Sequence, residues 1–217
     1  MQALATLAQA LGIAYASGLN LYATVAVVGF ASRMGWITVP GALEPLGSAW
    51  VIALAIALYV FEFLATLVPG VASAWETFHS VIRPPAAAGL AAATAWHGDA
   101  ILVLLAALLG GGLAVTTHVT KLGLRYAIDT SPEPFSNGAA NVAELGFVGA
   151  LAILVWRYPI IVLVLALAAL VTMILTVRLI WRALRQVFAG HWMPGRGLLQ
   201  EPRPGVRELS RTPADED

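Results

Sequence analysis

Charged residues recur at helical spacing in a chain that is otherwise strongly apolar. One such series contains, at positions i, i+3, i+7 and i+11, His118, Lys121, Arg125 and Asp129. This spacing places all four residues on one face of a helix. Because lipid penalises charge, we expect this face to point into the protein, into water or onto the membrane surface. A histidine there could carry protons near neutral pH, and the two cations could attract an anion or a phospholipid head group.

A second series has the spacing i, i+3 and i+7 and consists of Glu76, His79 and Arg83. We predict that the two faces converge inside the protein, with Glu62 or Glu144 as a carboxylate partner. A lone carboxylate inside a membrane span would cost about 2.5–3.5 kcal/mol, so Glu62 is expected to have an internal partner. The alternatives are basic side chains that snorkel to the head groups and an interfacial helix whose polar face is simply wet.

Other polar residues could line a polar path or have structural roles. Asn20 and Asn137 could line a polar path, although Asn20 could instead only bond across helices. Asn141 and Glu144 have capping-box spacing, which favours a helix that starts at Asn141. The prolines and glycine of segment 131–138 predict an irregular loop before that helix.

The composition is that of a membrane protein, with 59% hydrophobic residues, 11% charged residues and a mean hydropathy of +0.82. A spanning helix needs about 20 apolar residues. On that basis about six transmembrane helices are predicted from the apolar runs 3–30, 48–68, 84–96, 100–117, 142–156 and 159–177. The third helix is expected to be broken at Pro84 and Pro85. The predicted fold class is an all-α, polytopic membrane helical bundle.

The basic residues predict the orientation. With six spans, ten of the 12 Lys and Arg residues lie on the side of the C-terminus, and Arg33 and Arg157 lie on the other. Since positive residues favour the cytoplasm, both termini are predicted to be cytoplasmic. Six spans could also form a three-plus-three inverted repeat. Residues 1–188 are predicted to form the membrane domain, and the Pro- and charge-rich residues 189–217 a disordered cytoplasmic tail.

Several classes of function lack their characteristic sequence features. There is no cysteine, which excludes disulfides and thiolate chemistry, and the net charge of zero gives no reason to expect nucleic-acid binding. The sequence has no His-Glu-x-x-His, Gly-x-Ser-x-Gly or phosphate-loop motif. We therefore predict no catalytic residue, no metal site and no cofactor, and an enzyme is the less favoured class.

Four stretches carry a family resemblance: Ser17-Gly18-Leu19-Asn20, Phe61-Glu62-Phe63 with Pro69-Gly70, Trp75 to Pro84, and His118-x-x-Lys121-x-x-x-Arg125 running into Thr130-Ser-Pro-Glu-Pro-Phe-Ser-Asn137. Together they resemble the bacterial integral-membrane family called domain of unknown function 4126. The resemblance covers residues 10 to about 185. It implies a multi-pass protein of the bacterial inner membrane and no established activity.

The expected function is that of a permease or channel-like transporter with a polar, cytoplasm-facing cavity for an ion, an anion or a lipid head group. The candidate path is lined by Asn20, Glu62, Glu76, His79, Arg83, His118, Lys121, Arg125, Asn137 and Glu144. The alternative is a non-transporting membrane scaffold with a cytoplasmic docking tail. The expected partners are membrane lipid and an unidentified small solute, ion or lipid, and homo-oligomerisation is left open.

Overall fold

The computed structural model describes residues 2–68, 70–130 and 134–188. These residues form eight helices, one of them the 3-10 helix Gly41–Gly47. The others are α1 (Gln2–Leu19), α2 (Leu21–Arg33), α3 (Ala49–Ala65), α4 (Val71–Thr94), α5 (Ala100–Ile128), α6 (Pro134–Arg157) and α7 (Pro159–Phe188). The predicted all-α class is confirmed. The predicted tail, residues 189–217, lies outside the described residues.

Three of the described helices are long and apolar enough to cross a membrane, namely the segments Ala100–Ile128, Phe135–Arg157 and Pro159–Gln186. A fourth candidate span is the 3-10 helix taken together with α3, which meet at a bend of 67°. The several apolar helices indicate a membrane protein. The six-span count and the inverted repeat stay predictions.

Helix α4 has its charged side chains inside and large apolar ones outside. Glu76 and Arg83 are fully buried, whereas Phe78 is 65% exposed and Val81 is 79% exposed. A water-soluble helix shows the opposite arrangement, with its charged residues on the solvent face. The outer surface of α4 is therefore suited to lipid, and its charges belong to the protein interior.

The apolar run 3–30, which was expected to form one span, is two helices. The chain breaks at Asn20, whose backbone is extended with φ −149° and ψ 105°. The Asn20 carboxamide oxygen accepts a hydrogen bond of 2.9 Å from the Ala23 N–H and so caps α2. Asparagine at an N-cap satisfies a backbone donor that would otherwise lack a partner, which explains why an apolar run is interrupted here.

The expected break at Pro84 and Pro85 is wrong, because α4 continues through both prolines. A proline removes one helical hydrogen bond, but packing against neighbouring helices can hold such a helix together in a membrane protein. Here Arg83 contacts Glu62 of the neighbouring helix α3. Gly111 of α5 lies against Ala88 of α4, where an added Cβ would come within 3.2 Å.

The predicted start of the helix at Asn141 is also wrong, since α6 already begins at Pro134. Residues 134–138 are therefore helical, while residues 131–133 lie outside the described residues. Proline is well suited to the first turn of a helix, because its missing N–H would have no helical acceptor there. Asn141 and Glu144 consequently lie inside α6 rather than at its cap.

Small residues allow α1, α4 and α5 to pack closely. A buried cluster joins these helices and consists of Ala10, Ala14, Ala87, Ala91, Ala95, Ala106 and Ala114. Gly18 lies directly against Ala114 and Thr117, so that an added Cβ would come within 2.7 Å of the Ala114 backbone. Gly18 thus lets α1 pack closely against α5. Such small-residue contacts let membrane helices approach one another.

The chain divides into two compact units, residues 1–173 and residues 174–217. The first unit contains α1 to α6 and the first half of α7, and it carries every candidate site residue. Of the second unit the structure describes the end of α7. The boundary predicted after residue 188 stays a prediction.

Candidate functional site

The two charged faces predicted from spacing meet inside the first unit, and this prediction is confirmed. Glu62 comes from α3, residues Glu76 and Arg83 from α4, Lys121 and Arg125 from α5, and Glu144 from α6. We call these six residues the ionic cluster. The Glu144 side chain is 15% exposed and the other five are at most 3% exposed.

Lys121 lies at the centre of the ionic cluster. Its Nζ is 3.2 Å from Glu62 Oε1, 2.7 Å from Glu76 Oε1 and 2.8 Å from Glu144 Oε2. It also donates a hydrogen bond of 2.9 Å to the carbonyl oxygen of Leu19, at the end of α1. One ammonium on α5 is thus surrounded by oxygens from four other elements of the fold.

Arg83 connects the ionic cluster to His118. Its Nη2 is 2.7 Å from Glu62 Oε1, and its Nη1 pairs with Glu76 Oε2. Nη1 also lies 3.2 Å from Nδ1 of His118. Because a guanidinium only donates, Nδ1 must accept, and the proton of a neutral His118 is then on Nε2. From there it can reach Ser80 Oγ at 2.9 Å or the Glu76 carbonyl at 3.1 Å.

Arg125 connects the cluster to α6. Its guanidinium lies 2.9 Å from Glu144 Oε1 and donates to the side-chain oxygens of Asn137, at 3.1 Å, and of Asn141. Asn141 in turn donates to Thr66 at 2.9 Å, at the end of α3. The sequence spacing of Asn137, Asn141 and Glu144 fits one helical face. A helix predicted to begin at Asn141 leaves Asn137 in a loop, so this shared face could not be predicted from the sequence.

Asn20 and His79 lie at the edge of the cluster. Asn20 donates to Glu62 Oε1 at 2.9 Å, so the break between α1 and α2 is tied to α3. Among the described residues, His79 forms hydrogen bonds with the Trp75 carbonyl, 2.8 Å from Nδ1, and with Tyr22 Oη, 3.1 Å from Nε2. His79 is therefore a neighbour of the ionic cluster rather than a direct partner of its carboxylates.

Asp129, the last residue of the first charged face, has a separate structural role. It accepts hydrogen bonds from the N–H groups of Gly70 and Ser73, at 3.0 and 3.1 Å, from Ser73 Oγ, and from Asn137 at 3.1 Å. Asp129 therefore caps the N-terminus of α4 from the end of α5. Partial burial works against ionisation, but these hydrogen bonds prevail and lower the pKa of Asp129 below its usual value.

The ionic cluster is electrically balanced. Three carboxylates, Glu62, Glu76 and Glu144, face three cations, Lys121, Arg83 and Arg125, so that their formal charges sum to zero. Uncompensated charges would be very costly at this burial, whereas paired and hydrogen-bonded ones are tolerated. In the described part of the chain, no group of three or more His, Asp and Glu residues is arranged to hold a metal ion.

A cleft of about 350 Å³ reaches the cluster from one side, between α1, α5 and α6. Its walls are largely apolar, and its charged lining consists of Lys121, Arg125 and Glu144. Pockets of this size and character are typical of small-ligand sites, in which a few polar groups fix the orientation of the ligand. The cleft gives the buried charges a route to molecules outside the protein.

Comparison with known proteins places the chain in a family whose function is unknown. No curated protein and no solved structure matches it. The family model described as Domain of unknown function (DUF4126) matches residues 7–179, well over half of the chain, and the chain therefore belongs to that family.

Proposed function

We propose that this protein is a small multi-pass permease whose ionic cluster binds a small solute, an ion or a lipid head group. Ionisable residues inside a membrane are costly and commonly mark ion or substrate pathways. The observation that carries the proposal is the position of Lys121, whose ammonium contacts oxygens from α1, α3, α4 and α6 at once. Exchange of one of these contacts for a ligand would change how α5 is held to the other four helices.

The broken helix next to Lys121 supports the same proposal. Transporters often bind substrates beside discontinuous helices, where backbone groups at a helix end are free to contact ligands. Here the Leu19 carbonyl at the end of α1 accepts from Lys121, and Asn20 in the break contacts Glu62. Glu62 Oε2 is buried without a hydrogen-bond partner among the described residues, so it could accept a hydrogen bond from a ligand.

The N-terminal residues Gln2, Ala3 and Thr6 line one pocket with Gly98 and Asp99, so the N-terminus lies on the same side as the loop after α4. This does not fit the predicted six spans with both termini in the cytoplasm. The proposal therefore includes a location in the bacterial inner membrane with the C-terminus in the cytoplasm. The argument is the distribution of basic residues, ten of the 12 on one side. With this orientation the cleft would face the cytoplasmic half of the membrane.

Flux through liposomes tests the proposal. The full chain would be reconstituted and tested with chloride, inorganic phosphate, acetate and a fluorescent phospholipid. We expect at least one of these to cross faster than in protein-free liposomes. Glu76→Gln, which removes a charge that contacts Lys121 and Arg83, should abolish this flux, and the exposed Arg178→Ala should retain it. If no probe crosses with correctly folded protein, the transport proposal fails.

A second candidate function is a membrane scaffold, and the charge balance of the cluster favours it. Three carboxylates and three cations satisfy one another without a ligand. A scaffold would show no flux, and it would bind a partner protein through residues 189–217. Deletion of those residues should then abolish partner binding while the flux assay stays negative for both chains.

A further inference from the structure

The cleft between α1, α5 and α6 combines an apolar wall with a charged floor. Its lining includes Tyr15 and Leu19 of α1, Leu124 of α5 and Phe147 of α6, with Lys121, Arg125 and Glu144 at the charged part. Leu124 is 59% exposed and Phe147 is 47% exposed, so the apolar wall continues onto the outer surface of the unit. A ligand that fits such a site has an apolar part and one charged group.

Glu144 is the member of the ionic cluster that a ligand in the cleft would meet first. Its side chain is the most exposed of the six, at 15%. Its two oxygens hold two different cations, with Oε2 at 2.8 Å from Lys121 Nζ and Oε1 at 2.9 Å from Arg125 Nη2. Charge-assisted hydrogen bonds from Lys and Arg are also how carboxylates and phosphates of ligands are commonly bound.

The charge balance decides the sign of the ligand. If Glu144 turned toward the open side of the cleft, the cluster would keep Glu62 and Glu76 against Lys121, Arg83 and Arg125, an excess of one positive charge (3 − 2). An anion in the place of Glu144 restores neutrality. A cation there would add to the excess and would be repelled.

We infer that the cleft binds an amphiphile with an anionic head group, which displaces Glu144 from Lys121 and Arg125. The head group takes the place of the Glu144 carboxylate, and the apolar chain lies along Leu124 and Phe147. The head group is a carboxylate or a phosphate, either of which can accept from both cations. This inference rests on the proposed function only in treating the ionic cluster as a binding site.

The test is a binding measurement on the full chain in nanodiscs of zwitterionic phosphatidylcholine, with radiolabelled decanoate as the probe. Unlabelled decanoate, decyl phosphate, decanol and decylammonium serve as competitors with similar chains, and empty nanodiscs give the background. We expect saturable binding of the probe that unlabelled decanoate or decyl phosphate displaces and that decanol and decylammonium do not displace. The stronger of the two anionic competitors identifies the head group.

Three variants locate the site. Glu144→Gln should bind decanoate about tenfold more tightly, because a neutral amide holds Lys121 and Arg125 less strongly than a carboxylate does. Leu124→Trp should weaken binding by about tenfold or more by filling the cleft. Leu104→Trp is the matched control, since Leu104 is equally exposed on α5 at 58% and lies outside the cleft lining. It should bind like the parent.

Absence of saturable binding, equal competition by decanol, preference for decylammonium, or weaker binding by Glu144→Gln would each overturn the inference. The outcome is separate from that of the flux assay. Binding without flux would retain the anionic site and remove the transport proposal. Flux of another probe without decanoate binding would retain transport and remove this site.

Discussion

At the residue scale, the six buried charges of the ionic cluster are paired with one another. Arg83 and Arg125 are among the largest fully buried side chains. Each has carboxylate partners, and Lys121 contacts all three carboxylates. Removing one member would leave its partners charged and buried, so single substitutions should be far more damaging than the average one.

Arg83→Met should therefore destabilise the protein by about 3–5 kcal/mol, the cost expected when one partner of a buried ion pair is removed. Thermal unfolding in detergent would measure it. Arg178→Met, at an exposed position of α7, is the matched control and should change stability by no more than about 0.5 kcal/mol. Equal melting of the two variants would indicate that Arg83 is not held by buried carboxylates.

Asp129 predicts a dependence of stability on pH. Its pKa is lowered in the folded protein, so the carboxylate stabilises the fold above the unfolded pKa of about 3.9. That contribution is lost as the pH falls through the lower pKa of the folded state. Melting temperatures in detergent between neutral and acidic pH should therefore fall less steeply for Asp129→Asn than for the parent. Parallel curves would contradict the role of Asp129 as an ionised cap of α4.

At the element scale, helix packing depends on small residues and on how the helices begin and end. The convergence of the charged faces of α4 and α5 could be predicted, because spacing places each series on one side of a helix and lipid excludes it. The continuity of α4 through Pro84 and Pro85 could not, since a spacing pattern does not show packing against other helices, such as Arg83 against Glu62 of α3 and Ala88 against Gly111 of α5. The start of α6 at Pro134 could not be predicted either. Proline breaks a helix when it lies in the middle but suits the first turn, and the sequence does not show which position it takes.

The contact of Gly18 with α5 gives a prediction for α1. A Cβ at position 18 would lie 2.7 Å from the Ala114 Cα and carbonyl oxygen, so Gly18→Ala must push two helices apart. We expect a loss of about 1–3 kcal/mol, as for overpacking of a core. Gly112→Ala, in open space on α5, should instead be neutral or stabilise by up to about 1 kcal/mol. Thermal unfolding compares the two, and similar effects would argue against close packing at Gly18.

At the scale of the whole molecule, the first unit consists of apolar helices that enclose the six charged residues of the ionic cluster. By length and hydropathy three helices qualify as spans, or four with the bent pair, and α2 is excluded by its length. Buried polar residues can also lower the mean hydropathy of a helix whose outer face is apolar. Helix α4 is an example, since Glu76, His79 and Arg83 are all buried while its outer face is apolar. The number of spans therefore has to be measured on the protein in a membrane.

Topology reporters test the proposed orientation by showing on which side of the membrane two positions lie. A fusion at Gly98, between α4 and α5, should report the periplasm, and a fusion at Asp217 should report the cytoplasm. This follows from the positions of the basic residues. Reversed signals, or both reporters on one side, would exclude the proposed arrangement.

The most direct test of the charge-balanced cluster is a double-mutant cycle on Lys121 and Glu76, whose charged atoms are 2.7 Å apart. Glu76→Gln and Lys121→Met should each destabilise the protein in equilibrium unfolding in detergent. The double variant removes one charge of each sign, so its loss should be smaller than the sum of the single losses by about 0.5–3 kcal/mol. Losses that add to within about 0.5 kcal/mol would contradict the existence of one coupled cluster.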